Sequence, residues 1–589
     1  MTVEPSLTRW GRDLDVDHPL PEHPRPQLAR GGDSWINLNG RWEYAFGGPE
    51  HPTTWDGEIV VPFSPETELS GVGRQLQPEE FLWYRLRIST SSLTGLAATT
   101  GSAGARMLLH FGAVDQVCTV WVNDVEVGSH TGGYLPFSFD VTDALVAEDQ
   151  TIVVRVRDLS EAGPHARGKQ RLDAGRIWYT AQSGIWQTVW LEAVPETYVE
   201  RLTIVPDLTG LAVTVTTSRQ ARGPDQTPGA TVRVLDGGTL VAEVTGPANT
   251  PLRLDVPDPH LWSPADPHLY DLEITCGADL VTSYAALRTF GTGPDADGHQ
   301  RFLLNGEPIQ HVGVLDQGYW PDGLMTAPSD AAIVHDLETV KALGFTVVRK
   351  HVKVEPLRWY HHCDRLGLLV WQDVVNGGGR YRELVANLPA RWPIRLSDSR
   401  YDFFFRSDAA ARAEFREEVR ATVALLRNTA SVAVWVPFNE GWGQFDAAEI
   451  AAEVKELDPS RSVCHASGWI DQGGGDVKSY HRYLRPFRFR PRRRERRTHA
   501  LSEYGGLGLG GESDEVFDYG HCEDADALAT AFTRLHTRWI TPAVRRGLAA
   551  TIYTQLTDVE TERNGLMTWD RETLKIDAEV VRSVTRAIS

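Results

Sequence analysis

Hydrophobic and polar positions alternate over much of the first half of the chain. In residues 118–127 they alternate on both sides of an Asn-Asp pair, which predicts a β-hairpin. Similar short runs continue to about residue 294, separated by Pro, Gly and Asp. We therefore expect an all-β domain over residues 29–197 and a seven-stranded β-sandwich over residues 198–294.

The pattern changes after residue 295, where apolar runs typical of buried strands alternate with segments of helical periodicity. Ser329 precedes a segment whose apolar residues recur at helical spacing and which Gly344 follows, so we expect a capped helix there. The strand-like run at residues 345–349 comes next, and similar pairs repeat over nearly 300 residues. Residues 295–589 are thus predicted to form a C-terminal (β/α)8 TIM barrel, which makes the chain a multidomain β plus α/β protein.

Composition narrows the class of protein. The formal net charge of −20 argues against general nucleic-acid binding, and no apolar run is long enough to span a membrane. Residues 1–28 lack the apolar stretch of a secretory signal, so we expect an extended arm lying on the first sandwich. We therefore expect a cytoplasmic protein.

Two residue types give further hints. The five cysteines are odd in number and widely spaced, which predicts reduced, buried side chains rather than a disulfide framework or a metal site. The 19 tryptophans suit a carbohydrate protein, because indole faces bind the apolar C–H faces of sugars. Large multi-sheet proteins also place many tryptophans in their cores, so this signal has two interpretations.

Two glutamates carry the strongest chemical signal. Glu440 and Glu503 each close an apolar run that reads as a buried strand, and glycine or aromatic residues follow each of them. Catalytic groups of parallel β/α barrels project from the C-terminal ends of strands. Two carboxylates facing one another across a cleft are the groups that split a glycosidic bond. The alternative is two ordinary glutamates at strand ends, held in salt bridges.

Several segments resemble glycoside hydrolase family 2, the group of β-galactosidases, β-glucuronidases and β-mannosidases. Residues 82–85 (Leu-Trp-Tyr-Arg), 132–137 (Gly-Gly-Tyr-Leu-Pro-Phe) and 183–192 (Ser-Gly-Ile-Trp-Gln-Thr-Val-Trp-Leu-Glu) resemble its jelly-roll, sugar-binding-like domain. Residues 198–294 resemble its immunoglobulin-like domain, and residues 302–306 (Phe-Leu-Leu-Asn-Gly) resemble the start of its barrel domain. The resemblance implies a retaining exo-β-glycosidase in which Glu440 is the acid/base, near the end of strand four, and Glu503 is the nucleophile, near the end of strand seven.

The resemblance also implies a set of substrate-binding residues around the two glutamates. Asn439 is expected to bind the sugar 2-hydroxyl or else to brace Glu440, and Arg349 is expected to keep Glu503 ionised. A tyrosine after the sixth strand is expected to hydrogen-bond the nucleophile. For Arg349, His351 and Asp373, buried polar groups satisfied within the fold are the competing interpretation, and for the tryptophan a core position is the alternative. The full set is Asn439, Arg349, His351, Asp373, Tyr480, His481, Tyr483, Gln555, Asp558 and Trp569.

The sugar is less constrained than the reaction. Family glucuronidases grip the substrate carboxylate with an Asn-x-Lys pair late in the barrel, whereas residues 562–567 here read Glu-Arg-Asn-Gly-Leu-Met. We therefore expect a neutral β-galactoside, with β-galactofuranoside, β-glucoside and arabinoside as alternatives and β-glucuronide disfavoured. Transglycosylation, or a non-catalytic carbohydrate-binding protein on the same scaffold, are further alternatives. We expect no cofactor and no metal site, and the resemblance suggests a homo-oligomer.

Residues 485–497 depart from this picture because they contain eight arginines in an otherwise acidic protein. Their position between the sixth strand and Glu503 predicts a loop on the catalytic face. A solvated loop, or one that pairs with acidic surface, is the simpler interpretation. The alternative is that clustered cations attract an anionic substrate.

Overall fold

The protein contains two β-sandwiches and a parallel barrel, as the sequence predicts. The first sandwich and the barrel enclose the site described below. The computed structural model describes residues 7–91, 93, 96, 104–218, 228–381, 396–483, 486–491, 494–510 and 516–589.

The N-terminal arm contacts two domains, not only the sandwich that follows it. A short helix, Arg9–Arg12, begins after Thr8, whose backbone N–H and side-chain hydroxyl both donate to Asp322 of the barrel (2.9 and 2.6 Å). Further along, Arg25 donates to the buried Glu192 of the first sandwich at 2.5 Å. The arm therefore fastens the sandwich to the barrel.

The first sandwich packs a four-stranded sheet against a six-stranded one. The predicted hairpin is confirmed: two antiparallel strands meet at Asn123 and Asp124, which both have positive φ, as the tight turn requires. The smaller sheet contains, in order, Trp35–Asn37, Val189–Val194, Arg106–Phe111 and Phe137–Asp140. The larger contains Gly57–Val61, Gly40–Gly47, Phe81–Ile88, Gln150–Arg157, Val117–Val122 and Val125–Thr131. Short strands at Val114–Asp115, Gln170–Arg171, Tyr179–Thr180 and Gly184–Ile185 complete this domain.

The second sandwich has the seven strands expected of an immunoglobulin-like domain. Its two sheets bury a separate apolar core that alternate residues of each strand supply. One sheet contains Val199–Pro206, Gly210–Thr217 and Pro251–Asp255. The other contains Thr239–Pro247, Gly229–Asp236, Tyr270–Cys276 and Asp279–Ala285.

Eight parallel strands form a nearly closed barrel. A small sheet of Phe290–Pro294, Gln300–Leu304 and Glu307–Ile309 precedes it. The barrel strands are β1 His311–Asp316, β2 Val347–Lys350, β3 Leu369–Asp373, β4 Val432–Val436, β5 Ser462–Val463, β6 Val477–Arg482, β7 Thr498–Gly505 and β8 Ala550–Thr554.

Helices on the outside of the barrel follow most of these strands. The predicted cap is confirmed, since the Ser329 hydroxyl accepts from Ala332 N at the start of the first helix. Short strands at Leu507–Leu509 and Gly520–Cys522 follow β7. The helices are α1 Asp330–Ala342, α2 Leu357–Leu366, α3 Ala409–Leu426, α4 Ala447–Leu457, α5 Ala525–Leu535, which continues through a π-turn at His536–Ile540 into α6 Thr541–Val544, and α7 Ala578–Arg586.

The sequence predicts that the arginine-rich segment, residues 485–497, is a loop on the catalytic face. Arg485, Arg492 and Arg493 lie outside the described residues, whereas residues 494–497 lead into the start of β7, at the end of the barrel opposite to that face. Phe487 and Phe489 are buried against the outward-facing ring of Tyr480, with ring centroids 5.8 and 6.4 Å away. Arg497 pairs with Asp471 and Glu495, both at 2.8 Å.

A loop of the first sandwich is inserted at the C-terminal end of the barrel strands. The backbone N–H groups of Arg167 and Gly168 both donate to Asn376 O, at 3.0 and 2.9 Å. Gly168 has a φ of +62°, and a Cβ there would lie 2.9 Å from Val352 O. This close backbone contact carries the next residue, Lys169, to the rim of the barrel.

Many tryptophans have structural positions. Among the described residues, six tryptophans are fully buried, which favours the core interpretation for those six. The five cysteines are buried, as expected. Within the described residues, every helix is too short or too polar to cross a membrane. The six tryptophans are Trp42, Trp186, Trp190, Trp262, Trp371 and Trp435.

Candidate active site

The two glutamates meet at the C-terminal end of the barrel. One carboxylate oxygen of Glu440, one of Glu503 and a ring nitrogen of His481 all lie within 4.8 Å of one another. Both glutamates are almost completely buried, with 8% and 5% of their surface exposed. This spacing matches the separation of about 5 Å that lets one carboxylate attack an anomeric carbon while the other serves as acid.

Glu440 is held by a constrained turn after β4. Its backbone N–H donates to Ser467 O at 2.8 Å, and its φ is +54°, which is unusual for a residue with a side chain. Gly443 completes the turn with a φ of +61°, and a Cβ there would lie only 1.8 Å from Gly377 O. The backbone thus aims the Glu440 carboxylate across the barrel mouth.

Irregular strand pairing places the residues opposite Glu440. The register between β6 and β7 shifts so that His481 pairs with Glu503, whereas Tyr480 pairs with Leu501. A second shift occurs between β7 and β8 on either side of Glu503. Such irregularities re-aim side chains next to active sites.

Glu503 is surrounded by donors. Arg349 Nη1 donates to its Oε1 at 2.9 Å, and the Tyr483 hydroxyl donates to its Oε2. His481 Nδ1 lies 3.4 Å from Oε2. Burial alone would raise the pKa of Glu503, but His481 and Arg349 outweigh it and lower the pKa to about 2. Glu503 is therefore ionised at neutral pH.

The neighbours of Glu440 do not offset the effect of burial on its pKa as those of Glu503 do. Burial raises its pKa, the neighbouring carboxylate of Glu503 raises it further, and the hydrogen bond from His481 Nδ1 to Oε1 (2.8 Å) opposes both in part. Its Oε2 has no hydrogen-bond partner among the described residues. His481 is held in place by Ser467, whose hydroxyl lies 2.8 Å from Nε2. Glu440 is thus the carboxyl group that retains a proton more readily.

A hydrogen-bonded wall of polar residues extends from Glu503. Arg349 contacts both oxygens of Asp373 (3.0 and 2.9 Å) and donates to Asn439 Oδ1 at 2.8 Å. His351 Nδ1 lies 2.8 Å from Asp373, and burial lowers the pKa of His351 to about 4, so its ring is neutral. With Nδ1–H directed at Asp373, Nε2 is left as an acceptor. Asn439 Nδ2 is buried without a partner in the described part of the chain.

The end of β8 lies on the other side of the site. The Tyr483 hydroxyl lies 3.2 Å from Thr554 Oγ1. The next residue, Gln555, accepts a hydrogen bond from Gln317 at 2.6 Å, and its buried Nε2 has no partner among the described residues. The structure therefore brings seven of the ten expected binding residues around the glutamates: Asn439, Arg349, His351, Asp373, His481, Tyr483 and Gln555.

The other three expected residues make different contacts. Successive side chains of a strand point to opposite faces, so Tyr480 faces outward beside the inward-facing His481 and lies 3.2 Å from His499. Asp558 Oδ1 accepts from Lys575 at 2.6 Å and from Gly565 N at 2.8 Å, which anchors the loop after β8. Trp569 packs against the barrel core beside Arg571.

Two residues near the glutamates are absent from the sequence-based set. Lys169 comes from the first sandwich, and its charge acts on both Glu440 and His351. Tyr519 stacks on Tyr483 with ring centroids 3.9 Å apart. Burial raises the pKa of Tyr519 well above its usual range, as do the carboxylates of Glu562, Glu440 and Glu503. The sequence gives no signal for Lys169, because its position depends on how two domains dock.

The two glutamates and His481 are also spaced closely enough to hold a metal ion. Glu440, His481 and Glu503 are the only group of this kind among the described residues. Their surroundings fit a metal ion poorly, because Arg349 and Tyr483 already donate to the two oxygens of Glu503. The donor set suits a pair of catalytic carboxylates better.

Comparison with family models agrees with the architecture. Models of glycosyl hydrolases family 2 match the sugar binding domain at residues 94–195, the central domain at residues 197–291 and the TIM barrel domain at residues 298–485. The chain belongs to glycoside hydrolase family 2.

Individual relatives carry two kinds of name. A putative beta-glucuronidase of Formosa agariphila is 26% identical over 68% of this chain and 36% of its own length. The beta-galactosidase large subunit of Leuconostoc lactis is 25% identical over 75% of this chain and 74% of that protein. The chain spans only 36% to 43% of the length of four curated relatives it matches.

Solved structures share the fold. Bifidobacterium dentium beta-glucuronidase complexed with coumarin-3-O-glucuronide is 19% identical, with a TM-score of 0.73 over 95% of this chain and 98% of that one. A beta-galacturonidase of Eisenbergiella tayi bound to glycerol is 18% identical, with a TM-score of 0.71 over 96% of this chain and 99% of that one.

Proposed function

We propose that this chain is a retaining exo-β-glycosidase that hydrolyses terminal β-linked neutral sugars, most simply β-galactosides. The observation that carries the proposal is the pair of buried glutamates within 4.8 Å of one another whose pKa values are shifted in opposite directions. Groups with pKa values pushed apart take the acid and base roles of such reactions.

In the first step, an ionised oxygen of Glu503 attacks the anomeric carbon while the bond to the leaving oxygen breaks. Glu440 gives its proton to that oxygen, so the aglycone departs as an alcohol. Arg349 and Tyr483 hold the Glu503 carboxylate in place and keep it ionised. The product of this step is an ester between Glu503 and the sugar.

In the second step, water attacks the same carbon and Glu503 leaves. Once Glu503 is esterified its negative charge is gone, so a main cause of the raised pKa of Glu440 disappears. Glu440 then ionises more readily and takes the proton of the attacking water. The unpaired Nδ2 of Asn439 is placed to hydrogen-bond the sugar 2-hydroxyl during both steps.

The choice of a neutral sugar rests on the loop after β8. Residues 562–567 lack an Asn-x-Lys pair, and the carboxylate of Glu562 is fully buried there. A buried carboxylate repels a uronate. A β-uronide is the competing substrate class, because the named relatives and solved structures include β-glucuronidases and a β-galacturonidase.

The test is a screen of 4-nitrophenyl β-glycosides against the purified protein, with galacto-, gluco- and mannopyranosides, furanosides and uronides included. We expect release of nitrophenol from a neutral glycoside, loss of release in Glu503→Gln, and a first-formed sugar that keeps the β configuration by proton NMR. Inversion at the anomeric carbon, or equal rates in the variant, would exclude the proposed function.

A further inference from the structure

Lys169 differs from the other buried lysines at the mouth of the barrel. Lys350 and Lys353 each lie within 2.8 Å of a carboxylate. The closest carboxylate to Lys169 Nζ is that of Glu562, at 3.9 Å, and its one hydrogen bond among the described residues goes to the Tyr179 hydroxyl at 3.5 Å. An ammonium group has three donors, so a buried side chain with such long contacts has capacity left for a ligand.

The two carboxylate oxygens of Glu562 can also accept further hydrogen bonds. The Tyr179 hydroxyl donates to its Oε2 at 2.5 Å, and Asn564 Nδ2 donates to its Oε1 at 3.0 Å. Two carboxylate oxygens accept about four hydrogen bonds, so capacity is left on both. Asn564 Oδ1 is itself buried without a partner in the part of the chain that the structure describes. Donors and acceptors thus lie side by side.

This cluster adjoins the catalytic glutamates. Glu562 forms a backbone bridge with Phe517, two residues before Tyr519. The ring of Tyr519 stacks on that of Tyr483 with centroids 3.9 Å apart, and the Tyr483 hydroxyl donates to Glu503. The backbone N–H groups of Arg167 and Gly168 fix the Lys169 loop on the barrel through Asn376 O. The position of Lys169 is therefore set by domain docking and not by a flexible loop tip.

We propose that Lys169 and Glu562 together form a specificity site that binds adjacent hydroxyl groups of a neutral glycone. Lys169 donates to one hydroxyl oxygen, and Glu562 accepts the proton of its neighbour. A uronate fits this pair poorly, because its carboxylate would meet that of Glu562. The inference rests on the proposed function and names the sugar class that the site selects.

Binding measured in the Glu503→Gln background tests this site without hydrolysis. The probes are intact 4-nitrophenyl β-glycosides, galacto-, gluco-, manno- and arabino-configured, their monodeoxy derivatives, and the corresponding uronides. We expect Lys169→Met to raise the Kd of the best neutral glycoside about 10- to 100-fold, since a charge-assisted hydrogen bond is lost. For the monodeoxy probe that lacks the contacted hydroxyl, the same substitution should change the Kd less than about 2-fold.

Glu562→Gln and a remote control complete the design. Glu562→Gln should tighten uronide binding relative to the neutral sugar, because it removes the repelling charge and keeps the shape. Lys455→Met, on the outer face of α4, should change no Kd. Melting temperatures of all variants, compared in the same background, show whether each one folds.

Several outcomes would overturn the inference. If Lys169→Met weakens binding of the parent glycoside and of every monodeoxy probe equally, Lys169 has a structural role only. Tightest binding of a uronide that depends on Lys169 would make the site a carboxylate receptor, and binding of no neutral glycoside would exclude the neutral class. Failure of the proposed function is separate, because it appears as unchanged hydrolysis in the single Glu503→Gln variant.

Discussion

The ends of β4 and β7 both present a buried glutamate to the same site, yet they differ in what surrounds it. At the end of β7, Arg349 and Tyr483 donate to Glu503 and lower its pKa to about 2. At the end of β4, His481 is the one donor to Glu440 among the described residues, and burial and Glu503 raise the pKa of Glu440. The comparison shows that the neighbours, not the residue type, set the pKa values of the two glutamates apart.

The largest expected effect follows from removing the carboxylate at the end of β7. Glu503→Gln should lower kcat/KM by about 10⁴-fold or more, because no nucleophile remains. The melting temperature should change little, and Glu579→Gln, at the exposed start of α7, should leave kcat/KM unchanged. A Glu503→Gln rate within 10-fold of the parent, for a preparation free of contaminating activity, would remove Glu503 from its role.

Two neighbouring tyrosines provide the next test. Tyr483→Phe removes a hydroxyl donor from Glu503, so kcat/KM should fall about 10- to 100-fold. Tyr480→Phe removes a hydroxyl on the outer wall and should change kcat/KM less than about 2-fold. Steady-state kinetics on one aryl glycoside measure both. An equal fall in kcat/KM in the two variants would contradict the assignment of Tyr483 to the site and of Tyr480 to the outer wall.

The two glutamates also predict the pH profile. Glu503 must be ionised, so activity is lost on the acid side as pH falls through its lowered pKa. Glu440 must be protonated, so activity is lost on the alkaline side as pH rises through its raised pKa. Tyr483→Phe should move the acid limb of kcat/KM to higher pH, because the pKa of Glu503 rises without its donor. An acid limb that stays in place would contradict the role of that hydrogen bond.

The smallest effect concerns the arginine-rich segment. Arg494 and Arg496 are exposed, and they lie just before the start of β7, at the end of the barrel opposite to the glutamates. Replacing both with Gln should change kcat/KM less than about 2-fold at low and at high salt. A large, salt-dependent rise in KM toward an anionic glycoside would instead favour a role in attracting substrate.

Sequence reasoning located the features that depend on local pattern. Alternation and helical spacing predicted both sandwiches and most barrel units, and Ser329 marked the start of α1. The motifs at Glu440 and Glu503 predicted the central pair, and the family resemblance implied most of the polar wall around it. Each of these signals lies within one short segment of the chain.

Features that depend on register or docking could not be predicted in this way. The register shift beside His481, which pairs His481 with Glu503, has no signal in the sequence. Lys169 reaches the site only because its sandwich docks on Asn376. The composition of the arginine-rich segment gave no sign that Phe487 and Phe489 are buried.

Covalent trapping tests the pairing of the two glutamates most directly. Incubation with 2,4-dinitrophenyl 2-deoxy-2-fluoro-β-galactoside, followed by peptide mass spectrometry, should give one added sugar per chain, on the peptide that contains Glu503, and none in Glu503→Gln. If another galactoside proves the better substrate, its fluorinated analogue replaces this probe. A label on a different residue, or rapid turnover with inversion and no label, would contradict the assignment.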